Sequence, residues 1–155
     1  MKKSILILLI VLLVIFVSNC KTLQIKVQKP AGFADMPYSD QYKAISPEGM
    51  LFKVKIVDNY PKQSLAFWSI ALQNHFLNLG YTSLGEGEKF SANNRQGVFY
   101  EWGIPFNNQN YIYLTAIIVI NDKIIVAEST APHQVYNTHR SAIIKSLGKI
   151  ALVSK

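Results

Sequence analysis

The sequence predicts an α+β domain: a twisted antiparallel sheet of about five to seven strands with two main helices packed on it, at about residues 63–79 and 133–150. Three observations carry this. Apolar residues recur at steps of three and four in two separate stretches, as one buried helix face requires. Apolar and polar residues alternate in several short runs, as half-buried strands require. The later runs are joined by connections too short for a crossover helix, which forces antiparallel neighbours.

The chain begins Met1-Lys2-Lys3-Ser4, continues with thirteen uninterrupted apolar residues from Ile5 to Val17, and reaches Ser18-Asn19-Cys20. At ~1.5 Å per residue the apolar run covers ~20 Å of a hydrocarbon core about 30 Å thick, so residues 1–19 read as an export signal, not a spanning helix. Cys20 is the only cysteine. The segment resembles the bacterial lipoprotein signal, in which a peptidase cuts before a cysteine whose sulfur carries diacylglycerol. Asn19 stands where that pattern usually has Gly, Ala or Ser. The resemblance implies a lipidated Cys20 bearing fatty acyl chains such as palmitate, a tether over 20–31, and one domain over 32–155. It places the domain outside the cytoplasm, at the outer membrane or the periplasmic face of the inner one. Lys21 and Thr22 do not decide the side.

Without its signal the chain still has enough residues for one domain that buries roughly two thirds of its unfolded surface. With Cys20 lipidated, no thiol remains for a disulfide, a cysteine-zinc site or a nucleophile. The net charge of +7 falls to about +5 when Lys2 and Lys3 leave. Lys21, Lys26 and Lys29 cluster in the tether, where anionic headgroups account for them. No basic-aromatic groove pattern exists, so nucleic acid is not an expected partner.

From Lys21 to Lys29 the chain alternates, with Leu23, Ile25 and Val27 on one side, as a first strand or a stretched tether. Pro30 to Pro37 is a loop, Tyr38 to Ile45 a second strand, and Ser46-Pro47-Glu48-Gly49 a turn. Phe52, Val54 and Ile56 alternate with Lys53, Lys55 and Val57, which suits a strand near the sheet's edge. The first helix, Gln63 to Leu79, places Leu65, Trp68, Leu72, Phe76 and Leu79 inward and ends at Gly80. Strands follow at Tyr81–Lys89, Gly97–Ile104, Tyr111–Ile120 and Lys123–Thr130. Asn121-Asp122 is a two-residue hairpin turn and Pro105 to Asn110 a looser one. Tyr111–Ile120 is apolar on both faces and is expected at the sheet's centre. The last helix, His133 to Ile150, turns Tyr136, Ile143, Leu147 and Ile150 inward, with Pro132 suited to its first turn.

Several strings together resemble exported bacterial lipoproteins of uncharacterised function: Ser46-Pro47-Glu48-Gly49, Leu65-Ala66-Phe67-Trp68, Gly97-Val98-Phe99-Tyr100-Glu101-Trp102-Gly103, Tyr111-Ile112-Tyr113-Leu114-Thr115, Ala127-Glu128, and Tyr136 with Arg140. Over roughly Gly32 to Ile150 the element order is similar to the PsbP-like fold of a photosystem II extrinsic subunit and a Ran-binding transport factor. That resemblance implies a non-enzymatic binding or assembly module, with no catalytic residues and no cofactor.

Glu101 and Glu128 interrupt runs that otherwise read as buried, so each needs a partner. Arg140, four residues after Tyr136, can take a carboxylate with both arms of its guanidinium. An internal ion pair or ligand site is the first expectation. The sharper alternative is a glycan-acting hydrolase with Glu101 and Glu128 as its two acids. His75, His133 and His139 have no metal-ligand spacing, no Gly-x-Ser-x-Gly elbow occurs, and Gly85-Glu86-Gly87-Glu88 lacks the lysine and helix of a phosphate loop. Trp102, Phe106, Tyr111 and Tyr113 lie on or beside one hairpin, rimmed by Asn107, Asn108, Gln109 and Asn110. They are core and cross-strand pairs or a surface for an envelope protein or a small hydrophobic ligand.

Overall fold

The computed structural model describes residues 23–37 and 41–154. Its elements run β1 (Leu23–Lys26), β2 (Ala34–Asp35), β3 (Tyr42–Ile45), β4 (Leu51–Asp58), α1 (Leu65–Asn78), β5 (Thr82–Ser83), β6 (Glu88–Ala92), β7 (Arg95–Phe106), β8 (Gln109–Ile120), β9 (Lys123–Pro132), α2 (His133–Leu147) and β10 (Ala151–Ser154). One antiparallel sheet has the order β2-β3-β4-β9-β8-β7, and β5 and β6 share the outer edge of β7. A second sheet pairs β1 with β10. The α+β class and both helices agree with the sequence. The strand number is higher because β2 and β5, two residues each, are too short to produce a periodic signal.

Three turns set the meander. Asn93-Asn94, Asn107-Asn108 and Asn121-Asp122 close the pairs Ala92↔Arg95, Phe106↔Gln109 and Ile120↔Lys123. All five asparagines have positive φ, between 49° and 63°, a region that Asn enters more easily than other side-chain-bearing residues. The Asn107-Asn108 turn corrects the looser hairpin expected over Pro105–Asn110. Pro105 stays in the ladder opposite Asn110. The pair flanking a two-residue turn exchanges both backbone bonds, so the next residue, Pro105, directs its nitrogen to the outer edge, where no N–H is needed.

The expected strand Tyr81–Lys89 divides into β5 and β6, separated at Gly85-Glu86-Gly87. The second strand is confined to Tyr42–Ile45, and residues 38–40 lie outside the described residues. Of the two readings for Lys21–Lys29, Leu23–Lys26 forms a strand, with Ile25 and Val27 packed on the core. Cys20 lies outside the described residues. Helix α2 ends at Leu147, and Ile150 is buried beyond its end.

β8 separates two cores. Leu114, Ala116 and Ile118 join Phe52, Val54, Phe99 and Ile125 beneath α2, which contributes Tyr136, Ile143 and Leu147. The intervening Ile117 joins Val98, Tyr100, Trp102 and Ile124 beneath α1, where Phe76 is the buried helix residue. Ser64 caps α1 by accepting from the Phe67 amide at 3.2 Å. At the other end, Tyr81 N–H donates to Phe76 O and Gly80 N–H to Leu77 O, both at 3.0 Å. Gly80 has φ of +81°, and the Tyr81 ring packs on Phe76 at 5.2 Å, so the helix closes in a Schellman motif with its hydrophobic contact.

Asn59, buried between β4 and α1, ties three segments. Its Nδ2 donates to Gln63 O at 3.0 Å and Asn121 O at 2.9 Å, and its Oδ1 accepts from Gln63 N–H at 3.0 Å and Trp68 Nε1–H at 2.7 Å. Asn59→Ala removes all four bonds and leaves the Trp68 donor without an acceptor. It is expected to lower the unfolding free energy by about 2–4 kcal/mol, read by chemical denaturation.

Candidate functional site

Glu101 sits in β7 on the face that α2 covers, opposite Leu114. The strand period that buries Phe99 on this face brings Glu101 up beside α2 as well. Tyr136 and Arg140, one helical turn apart, meet it. Arg140 donates through Nε to Glu101 Oε1 at 2.7 Å and through Nη2 to Glu101 Oε2 at 3.0 Å. The Tyr136 hydroxyl donates to the same Oε1. Arg140 Nη2 also donates to Glu88 Oε1 at 3.0 Å. Its guanidinium lies 6.0 Å from the centre of the Phe99 ring. The bidentate ion pair expected from the sequence therefore forms, with Tyr136 and Glu88 added.

This environment holds Tyr136 and Arg140 in their protonated forms. Burial, then the hydrogen bond to Glu101, raises the Tyr136 phenol far above the ordinary tyrosine value. The hydrogen bond to Glu101 raises Arg140 further still. The Glu101 carboxylate, with three donors on its two oxygens, makes a firm link between β7 and α2.

A second polar cluster lies on the same stretch of α2, at His139, the residue before Arg140. His139 Nε2 is 2.8 Å from Glu48 Oε2, Ser46 Oγ donates to that oxygen at 2.8 Å, and Phe33 packs edge-on against the His139 ring. The His139 bond, then that from Ser46, holds the Glu48 carboxyl below its ordinary value. His139 is thus a hydrogen-bonded packing residue. No local pattern points to its partner, since Glu48 lies on a distant turn.

Glu128 is on the other face of the sheet. The register Glu101↔Leu114↔Ser129 places Ser129 on the α2 side and its neighbour Glu128 on the α1 side. There Glu128 pairs with Lys55 at 3.5 Å. Burial, then the charge of Glu128, raises the Tyr113 phenol. The expectation of Glu101 and Glu128 as two acids flanking one glycosidic bond is corrected accordingly, because the sheet stands between them. Arg140 serves Glu101 and not Glu128.

The aromatic hairpin divides too. Trp102 is fully buried, stacked on Phe76 at 5.0 Å and on Tyr100 at 5.7 Å, with Nε1 donating to Thr115 Oγ1 at 3.0 Å. It is a core residue, which corrects its place in an exposed binding surface. Tyr113 is half-buried between Phe76 and Tyr81. Phe106 and Tyr111 stay at the surface beside the Asn107-Asn108 turn, edge to face at 5.9 Å, with Phe106 58% exposed. A recess of about 600 Å³ lies where β1 passes the ends of β3 and β4, lined by Leu23, Met36, Tyr42, Lys43, Lys55 and Val57. It is open to solvent and mixed in polarity. Among the described residues no group of His, Cys, Asp and Glu is arranged to hold a metal ion, and no helix is long and apolar enough to cross a membrane.

No protein-family model and no curated protein matches the chain. Solved structures do. LpqN of Mycobacterium tuberculosis, described as involved in cell envelope biogenesis, aligns with a TM-score of 0.70 at 11% identity over 88% of this chain and 87% of its own. The cyanobacterial PsbP of Synechocystis aligns with a TM-score of 0.54 at 7% identity over 88% and 96%. The chain has the PsbP-like fold. A Pseudomonas aeruginosa protein of unknown function, a putative regulator, also aligns, with a TM-score of 0.54 at 10% identity over 86% and 84%. At such identities the likeness speaks for the fold.

Arg140→Met leaves the Glu101 carboxylate short of its two strongest donors, and a loss of about 2–3 kcal/mol in unfolding free energy is expected. The double variant Glu101→Leu/Arg140→Met recovers part of that loss, because the buried carboxylate is gone, while the Tyr136 hydroxyl loses its acceptor and the exposed Glu88 its cation. Both are read by denaturant titration. A separate expectation concerns alkaline pH. The phenols of Tyr42, Tyr113 and Tyr136 are all raised above 10.0 in the folded protein. Their contribution to stability is complete below that value and declines as the pH climbs past it, because the unfolded chain releases those protons first. Absorbance at the tyrosinate band should leave at least these three phenols untitrated until the protein unfolds.

Proposed function

We propose that the protein is a lipid-anchored domain of the bacterial cell envelope that binds another envelope protein and performs no chemistry of its own. The observation that carries this reading is the disposition of the two acids that hydrolysis would need. Glu101 is occupied by Tyr136 and Arg140, whereas Glu128 lies across the sheet with Lys55. One surface available to a partner is the outer end of the β7–β8 hairpin. Exposed Phe106 and half-buried Tyr111 offer an aromatic pair there, with the amide-bearing Asn107, Asn108, Gln109 and Asn110 around it. Aromatic side chains give much contact area for little lost rotamer freedom, and they concentrate where binding energy is concentrated. The envelope location is supported by the signal and Cys20 at the start of the chain, and by the envelope role described for LpqN, which shares the fold.

In-cell crosslinking followed by mass spectrometry tests the reading. The wild-type chain is expected to capture a defined envelope protein that is lost from both Phe106→Ser/Tyr111→Ser and the unanchored Cys20→Ser variant. Hydrolysis of an envelope glycan by the purified protein, abolished in a folded Glu101→Gln or Glu128→Gln variant, would overturn it.

A further inference from the structure

The outer side of α1 is unusual for a water-facing helix. Leu65–Asn78 contains no Asp, Glu, Lys or Arg, and its outward residues Phe67, Ile70 and Leu77 are 45%, 60% and 52% exposed. Tyr60, just ahead of the helix, is 86% exposed. A helix face with this composition is ordinarily covered, because each exposed apolar side chain forgoes the burial that folding usually secures for it.

The sheet beside α1 is basic. Lys43 and Lys53 stand directly opposite one another on β3 and β4, on the same face as Lys55, because residues two apart along a strand share a face. Lys62 precedes the helix. Like charges directly opposite in a sheet are destabilising in water. Among the described residues, no carboxylate lies within ion-pair distance of Lys43, Lys53 or Lys62, although Glu128 stands opposite Lys53 on β9. The carboxylates in the neighbourhood are engaged: Asp58 and Asp122 lie 2.6 and 4.0 Å from Lys123, and Glu128 lies 3.5 Å from Lys55.

The start of the described chain is close by. Leu23 lines the same recess as Lys43, Lys55 and Val57. Only Lys21 and Thr22 separate Leu23 from Cys20, a span of roughly 10 Å when fully extended. An acyl chain on Cys20 therefore holds this edge of the sheet, with Lys43 and Lys55, close to the headgroups. We infer that the outer face of α1, with Tyr60 and Lys43, Lys53, Lys55 and Lys62, seats the domain on an anionic lipid bilayer. The apolar side chains enter the boundary between headgroups and acyl chains, and lipid phosphates neutralise the opposed lysines. The inference rests on the reading of Cys20 as the lipid carrier, and the experiment separates the two.

The full chain carrying Ile70→Cys is expressed, purified in its processed form, labelled with a nitroxide and reconstituted on vesicles of phosphatidylcholine with or without phosphatidylglycerol. Ser141→Cys, on the exposed side of α2, serves as the control position. The mass of the N-terminal peptide reports independently whether Cys20 is acylated. The label at position 70 is expected to lose accessibility to a water-soluble nickel relaxant about fivefold or more on the anionic vesicles, on the scale of one lysine–headgroup interaction. The label at position 141 should be unaffected. Lys43→Glu/Lys53→Glu should restore access at position 70. Acylated protein whose position 70 stays open to nickel on anionic vesicles would overturn the seating while leaving the anchor intact. Shielding of position 70 without vesicles, accompanied by a dimer in solution, would overturn it in favour of a second copy. Shielding on anionic vesicles by a protein without acyl groups would support the seating and refute the anchor.

Discussion

The constraint on which the structure depends is that β8 is buried on both faces. A strand covered on one side needs one layer; this one needs two, and the chain supplies a helix for each. The consequence is a pair of cores that share a sheet but no side chains. Leu114, Ala116 and Ile118 belong to one, Thr115 and Ile117 to the other.

The two layers are fastened differently. On the α2 side, Tyr136, Ile143 and Leu147 are fully enclosed, and the Glu101–Arg140 pair adds a directional link that apolar contact lacks. On the α1 side only Phe76 is fully buried among the helix residues, with Leu65, Trp68 and Leu72 packed part-buried on the core, and the polar links are Asn59 to Trp68 and Gln73 to Tyr100. β4 lies partly beyond the shelter of α1, which explains its wet, lysine-bearing face although β2 and β3 lie outside it in the sheet. The same division decides the fate of the two glutamates, because an odd or even place in a strand assigns each to a separate layer.

What could be read from the sequence was whatever repeats over several residues. The alternation in β4 and β8, the helical spacing from Leu65 to Phe76, and Gly80 as a stop all carry their meaning locally. Arg140 with Glu101 was legible because an acid in a buried strand needs a cation and α2 offered one on a suitable face. Features set by distant chain were not legible. Alternation places Trp102 on a face, but nothing near it says that Phe76 will close over that face. Glu48 meets His139 across ninety-one positions, and β10 becomes a strand only because β1 is beside it. The Asn93-Asn94 and Asn107-Asn108 turns were within reach of local reasoning. Pro105 and the glycines of 85–87 suggested longer loops and obscured them.

The pairing of β1 with β10 has a consequence for the order in which the domain can be completed. The meander joins strands that are neighbours in the chain, so it can form from local encounters as soon as its residues are present. Leu23 must wait for Ser154. In a chain delivered amino end first across a membrane, β1 would stand without its partner while the rest assembles. Closing that terminal ladder is then the last step, with Ile25 and Leu152 sealing one edge of the α2 core together.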